Sequence, residues 1–230
     1  MIVPLSTERF IRWLSRELGS PPVRGPPVLV PVPEVDAGEV SRIASLGLPA
    51  IVTSPNAVDM LESMLPHSVL AAALSKSIAI GPMTADAILS AVPGASVSVP
   101  GEHNSRSLAS SLADARYVLW CSEGVDRSLV DAVERRQGLV VRLYRLDIDE
   151  CAIDELRRSL SDEDLVVFAS GASVSAWRLL RKGIAANPRA VAVSRRIAGA
   201  LASDAPPSLA IFEDGDMRKF PHFLRAVYGG

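Results

Sequence analysis

Cysteine is nearly absent from this chain, which carries only Cys121 and Cys151. Two such residues support neither a disulfide framework nor a cysteine metal site, so the expected compartment is the reducing cytoplasm. Histidine is little better supplied: His67, His103 and His222 are scattered without metal-ligand spacing and read as surface or loop residues, and no metal is expected. Aromatic residues make up 5% of the chain. Trp13, Trp120 and Trp177 lack the interleaved basic residues that would make them platforms for stacked bases. There is no excess of positive charge either; the formal net charge of −2 argues against a nucleic-acid partner held by bulk electrostatics. The longest apolar stretches, such as Val69 to Leu74, are too short to cross a bilayer, and the segment from Met1 to Arg9 lacks the basic region and apolar core of a signal peptide. No glycine-rich phosphate loop ending in lysine, dinucleotide fingerprint or nucleophile elbow is present. Asp214-Gly215-Asp216 has no glutamate at calcium-loop distance and reads as a turn.

What remains is a chain of 230 residues, 48% hydrophobic and 22% charged, with the balance of a soluble globular protein and enough length for one large domain or two small ones. Its most informative content is a pattern that occurs twice. Ala50-Ile51-Val52-Thr53-Ser54-Pro55 runs from a β-rich segment into a helix start, and Ser77-Ile78-Ala79-Ile80-Gly81-Pro82 repeats the turn from strand to helix. Leu165-Val166-Val167-Phe168-Ala169-Ser170 and Ala190-Val191-Ala192-Val193-Ser194 form the second copy. Ser54 and Gly81 are 27 positions apart, Ser170 and Ser194 are 24 apart, and two related lobes are the natural reading. Ser54 is placed to cap a helix whose first position is Pro55, and Gly81-Pro82 repeats the arrangement. Helix starts of this kind carry a partial positive charge and free N–H groups, so they bind carboxylates or phosphates without lysine or arginine; ordinary capping is the competing role.

Continuous apolar runs at 28–32, 50–53, 78–80, 97–99, 117–121, 139–143, 165–168, 191–193 and 209–212 read as strands buried on both faces. Amphipathic helices lie between them. Ala57, Met60, Leu61, Met64 and Leu65 share one face after Pro55; Val125, Leu129 and Val133 do so in a helix expected to stop at Gly138. Strands alternating with helices predict an α/β architecture with parallel sheets flanked by helices. Pro31 and Pro33 would not be tolerated in a central strand, and the stretch from Arg142 to Ile148 alternates like an exposed ladder strand. If these two stretches pair as crossings near 31–36 and 142–148, residues 1–32 and 148–230 form one discontinuous lobe and residues 36–142 the other, joined by a two-stranded β ladder.

At these residues the sequence resembles the uroporphyrinogen-III synthase family. Val52-Thr53-Ser54-Pro55-Asn56-Ala57-Val58 is similar to the family's phenylalanine-threonine-serine-proline segment, and Ile80-Gly81-Pro82-Met83-Thr84-Ala85 to its glycine-x-x-threonine-alanine segment. Val118-Leu119-Trp120 with Gly124 and Arg127 resembles a strand and the following helix start, and Leu143-Tyr144-Arg145 falls where the family has a valine-tyrosine pair. The resemblance implies two α/β lobes joined by a ladder, with the substrate in the cleft. It implies a cofactor-independent, monomeric lyase that acts on hydroxymethylbilane, a linear tetrapyrrole rich in carboxylates, and inverts ring D while closing it to uroporphyrinogen III. Tyr144 is the implied catalytic residue, a phenol that can donate to the departing hydroxyl, with a packing role between the lobes as its rival. Thr53, Ser54, Gly81, Thr84 and, from the other lobe, Ser170 are the implied substrate-binding residues.

The second copy departs from the family pattern. Ser194-Arg195-Arg196-Ile197-Ala198 stands where the family has glycine-proline-threonine-threonine-alanine, so Ile197 supplies no hydroxyl, and Arg195 and Arg196 become the candidate carboxylate anchors or else plain solvated charges. Pro4-Leu5-Ser6-Thr7 likewise replaces an arginine-proline pair. A non-catalytic relative that binds a tetrapyrrole or another polycarboxylate, and a binding protein for a phosphorylated metabolite, are the competing readings.

Overall fold

A computed structural model describes residues 1–229; the last residue of the carboxyl-terminal lobe segment, Gly230, lies outside the described residues. The chain begins with β1 (Ile2–Pro4), α1 (Glu8–Leu18) and β2 (Leu29–Pro33). It continues through α2 (Ala37–Ala44), β3 (Ala50–Val52), α3 (Pro55–Met64), α4 (His67–Leu74), β4 (Lys76–Ala79), α5 (Pro82–Ala91), β5 (Ser96–Ser98), α6 (Ser105–Ser111), β6 (Val118–Ser122), α7 (Arg127–Glu134) and β7 (Leu139–Ile148). It ends with α8 (Glu150–Ser159), β8 (Leu165–Phe168), α9 (Gly171–Arg181), β9 (Arg189–Ala192), α10 (Arg195–Leu201), β10 (Leu209–Ile211) and α11 (Phe220–Gly229). Two compact units result, one from Met1–Pro31 with Leu146–Gly230 and the other from Val32–Arg145.

The first unit holds a four-stranded sheet in the order β1-β8-β9-β10, parallel throughout. Its strands are apolar on both faces because helices cover both. Val3, Val166, Phe168 and Ala190 pack with Ile153, Leu156, Trp177 and Leu180 on one side, while Ile2, Leu165, Val167 and Val191 pack with Leu14, Phe220 and Leu224 on the other.

In the second unit the sheet order is β2-β7-β6-β3-β4-β5. From β7 to β5 every pairing is parallel. β2 stands at the edge, the place that Pro31 and Pro33 require. Just past it, the Glu34 N–H donates to the Leu143 carbonyl at 3.0 Å, and at its other end the Asp149 N–H donates to the Val28 carbonyl at 3.0 Å. Advancing from Val28 to Glu34 therefore retreats from Asp149 to Leu143, the mark of an antiparallel ladder. This ladder is not a separate element: the runs expected at 139–143 and 142–148 are one continuous strand, whose early part pairs with β6.

The α7 stop also differs from the expectation. Gln137, at φ 56°, takes the left-handed conformation, and Gly138 serves a steric purpose instead. A Cβ on Gly138 would lie 2.6 Å from Val133 Cγ1 and 2.7 Å from the Tyr117 carbonyl oxygen. Among the described residues no helix is long and apolar enough to cross a membrane.

Candidate active site

In the second unit the chain builds β3, then β4 and β5 on one side of it, and afterwards β6 and β7 on the other. The order reverses between β3 and β6, and the adjacent connections lead to opposite faces of the sheet. A crevice at the carboxyl ends of those two strands is the consequence, and such switch points are where open α/β sheets bind ligands. Thr53 and Ser54 follow β3, and Ser122 ends β6. Thr53 ties the two strand ends together, since its N–H donates to the Trp120 carbonyl at 3.3 Å and its hydroxyl lies 3.5 Å from the same oxygen.

Ser54 has extended backbone, and its Oγ accepts the Ala57 N–H at 3.1 Å, which makes it the N-cap of α3 with Pro55 in the first turn. The same oxygen lies 2.8 Å from the hydroxyl of Tyr144. Tyr144 comes from β7 and is 2% exposed. Burial pushes its phenol above the ordinary tyrosine value, and the Ser54 hydroxyl, with the polar side chains of Asn56 and Ser122 nearby, works against that rise. A buried phenol set among small hydroxyl and amide groups at a strand-end crevice can donate a hydrogen bond or a proton to a ligand held there.

One strand further along, Ile80 N–H donates to the Val52 carbonyl, which places Gly81 beside the end of β3. Gly81 caps α5 with Pro82 in its first turn. A Cβ at Gly81 would lie 3.4 Å from the Cβ of His103. The Nδ1 of that histidine is buried with no hydrogen-bond partner among the described residues. Thr84 occupies the same first turn but is only 3% exposed. Its contribution to any ligand contact therefore runs through the surrounding helix start more than through an open hydroxyl.

In the first unit Ser170 caps α9 through a reciprocal pair with Ser173, and Ser194 caps α10 by accepting the Ile197 N–H at 3.3 Å. These caps sit at the ends of neighbouring strands β8 and β9. Arg195 directs Nε and Nη2 onto the two carboxylate oxygens of Glu213 at 2.7 and 2.9 Å. That ion pair is exposed, and the next residue, Arg196, is exposed too. Both arginines line an open pocket with Val193, Ser194, Phe212, Glu213 and Gly215.

The structure thus joins Ser54 to Tyr144 directly, sets Thr53 and Gly81 at the adjoining strand ends and Thr84 in the first turn of α5, and carries Ser170, Arg195 and Arg196 on the first unit. Sequence reasoning missed three neighbours. Asn56 was signalled by its place in the first turn after Ser54-Pro55, and Ser122 by being the first polar residue after the apolar run of β6. His103 had no sequence signal, because only the fold brings it against Gly81. Among the described residues no group of three histidine, cysteine, aspartate or glutamate side chains could hold a metal.

Comparison with known proteins supplies the family. No curated protein matches the chain in a sequence search. Solved structures resemble it along its length, two of them as follows. Uroporphyrinogen-III synthetase from Helicobacter pylori superposes with a TM-score of 0.65 at 14% identity, over 98% of this chain and 98% of that one. A mutant uroporphyrinogen III synthase from the extremely thermophilic bacterium Thermus thermophilus does so with a TM-score of 0.58 at 22% identity, over 100% of this chain and 99% of that one. At such identities they establish the fold: α/β, with parallel sheets flanked by helices. The profile described as Uroporphyrinogen-III synthase HemD matches residues 27–214, which spans the strand-end crevice, Tyr144 and both cap pairs. The chain belongs to the uroporphyrinogen-III synthase family, the cyclising lyases of heme biosynthesis.

Proposed function

We propose that this protein converts hydroxymethylbilane to uroporphyrinogen III, with Tyr144 as the proton donor. The single observation that carries the assignment is the buried Tyr144 phenol, 2.8 Å from the Ser54 cap at the switch point of the sheet. In the reaction the phenol hydrogen passes to the hydroxyl on the first ring of the substrate, which leaves as water and generates an azafulvene cation. The substituted carbon of ring D attacks that cation to give a spiro intermediate. Fragmentation and reclosure reverse ring D, and the proton released when the last pyrrole rearomatises returns to the Tyr144 oxygen. Atoms balance as one water lost per ring closed. Burial raises the phenol's pKa, which favours return of the proton to the oxygen at the end of the cycle.

The substrate also closes spontaneously to the unreversed isomer, so holding its conformation matters as much as proton transfer. Thr53, Ser54 and the free N–H groups in the first turns of α3 and α5, beside Gly81 and Thr84, suit the carboxylates of one part of the chain. Ser170, Arg195 and Arg196 suit those of another. The two compact units correspond in this reading to the two lobes of the family, and the protein works as a cytoplasmic monomer in a scheme that calls on no cofactor.

The test supplies the purified protein with freshly generated hydroxymethylbilane, oxidises the products and separates uroporphyrin isomers I and III. A large excess of isomer III over the protein-free control supports synthase activity. Isomer I alone, at the spontaneous rate and with folded protein, overturns it in favour of a non-catalytic tetrapyrrole binder.

A further inference from the structure

The hydroxyl of Tyr144 owes its position to an irregularity in the sheet. β7 keeps step with β6 from Leu139 opposite Val118 as far as Arg142 opposite Cys121, and then slips so that Tyr144, in place of Leu143, faces Ser122. A regular strand sends alternate side chains to opposite faces. Because Leu143 is passed over, Tyr144 takes the face that the place opposite Ser122 commands, and its ring is buried there, 2% exposed. Bulges are rare in parallel pairs and are over-represented next to active sites, where they re-aim a side chain. This one is pinned on both sides. Glu123 N–H donates to the Tyr144 carbonyl at 2.9 Å, and Glu34 N–H donates to the Leu143 carbonyl at 3.0 Å.

The slip places Ser122, at the end of β6, opposite Tyr144 in register, a phenol whose hydroxyl already meets Ser54 Oγ at 2.8 Å. A phenol oxygen has two lone pairs and one hydrogen. Ser54 Oγ accepts from the Ala57 N–H, which leaves its own hydrogen available for the phenol oxygen. One more donor would fill the remaining lone pair, and of the two candidates, the Asn56 amide and the Ser122 hydroxyl, Ser122 is the one that the strand register sets opposite Tyr144. Building on the reading of Tyr144 as proton donor, we propose that Ser122 is a positioning residue, brought to Tyr144 by the bulge at Leu143, that donates its hydroxyl hydrogen to the phenol oxygen and leaves the phenol's own hydrogen directed at the substrate. Such donation also stabilises the phenolate that proton transfer leaves behind. If Ser122 merely packed at the strand end, a residue of similar size without a hydroxyl would serve equally.

The experiment compares Ser122→Ala and Ser122→Thr with the parent protein. The phenols are titrated by ultraviolet difference absorbance, and Tyr144→Phe identifies the contribution of Tyr144 among the three tyrosines. Ser122→Ala is expected to raise the Tyr144 midpoint by about one pH unit, the scale of one hydrogen bond, and Ser122→Thr to keep it. In turnover, kcat for isomer III falls roughly tenfold in Ser122→Ala with KM unchanged. An unmoved Tyr144 midpoint in Ser122→Ala, or an equal change in Ser122→Thr, overturns the inference. Ser122→Gly removes the same hydroxyl and stands in if the alanine variant fails to fold. Because the titration needs no turnover, a parent protein without synthase activity would sink the catalytic reading while leaving this test of Ser122 decisive.

Discussion

The hydroxyls of Ser54 and Tyr144 meet at 2.8 Å although 90 positions separate the two residues in the chain. One serine oxygen thus caps a helix and fixes a phenol, so the geometry of α3 and the position of Tyr144 are coupled. The two roles separate by mutation. Tyr144→Phe removes the proton but keeps the buried ring, and is expected to leave thermal stability nearly unchanged while isomer III formation falls by about a hundredfold or more. Ser54→Ala removes the cap as well, and should cost about 1 kcal/mol of stability together with a smaller loss of activity. Thermal unfolding and isomer analysis on the same preparations read both effects.

The two cysteines should differ sharply in reactivity. Burial pushes the Cys121 thiol up to about 12, with Arg142 pulling weakly the other way, and its Sγ faces the Val141 carbonyl. Cys151 is exposed. Since the thiolate is the reactive form, an aromatic disulfide reagent at about pH 8 should titrate one thiol in the folded protein and two after denaturation. The raised value has a sign for stability. Below the unfolded thiol value near 9 the contribution is complete, and it is lost as pH climbs toward 12. Cys121→Ala should therefore flatten the alkaline limb of a stability profile; an unchanged slope above pH 9 would count against this account.

The parts of the fold and site that were legible in the sequence are those governed by local chemistry. Ser54-Pro55 and Gly81-Pro82 announce helix starts because capping depends on adjacent residues alone, and the apolar runs from Ala50 and Leu165 announce buried parallel strands because both faces must be covered. Pro31 and Pro33 exclude a central strand for the same local reason, having no N–H to donate. Tyr144 became a candidate only through family resemblance, since nothing in Leu143-Tyr144-Arg145 itself separates a chemical role from a packing one. The bulge that turns Tyr144 toward Ser122 was invisible: register is set by pairing between strands, and a one-residue slip leaves no trace in composition. The end of α7 misled for a related reason, because Gly138 is demanded by the approach of Tyr117 and Val133 and the left-handed residue is Gln137.

Asp164 anchors the first unit and should govern its acid sensitivity. Burial alone would raise its carboxyl, but the Ser161 N–H, Arg24, the amino group of Met1 and the Ser161 hydroxyl together hold it below the usual carboxylate value. Arg24 donates at 2.6 Å and the Met1 amine at 3.0 Å. A depressed value means that the stabilisation is present above the unfolded value near 3.8 and is lost as pH falls through the folded one. Asp164 is buried but its partners Arg24 and the Met1 amine are partly exposed, so Asp164→Asn should cost about 2 kcal/mol at neutral pH, less than a fully buried pair. The variant should also lose the part of the acid dependence that Asp164 contributes, which denaturant melts from neutral pH down through the carboxylate range would resolve.

Arg195 and Arg196 are neighbours in sequence yet face different tasks. The first has both of its forked donors on Glu213, so a substrate carboxylate must displace that partner before it can bind there. Among the described residues no such competition holds Arg196 on the same pocket rim. Arg196→Gln is therefore expected to raise KM for hydroxymethylbilane by about threefold, the scale of one exposed ion pair, with kcat little changed. Arg195→Gln alone should do less. Glu213→Gln releases the Arg195 fork and should lower KM, more so at low ionic strength because exposed charges are screened by salt. Steady-state kinetics at low and high salt decide the matter: a larger KM effect from Arg195→Gln than from Arg196→Gln would mean that Glu213 orients Arg195 for the substrate and does not occupy it.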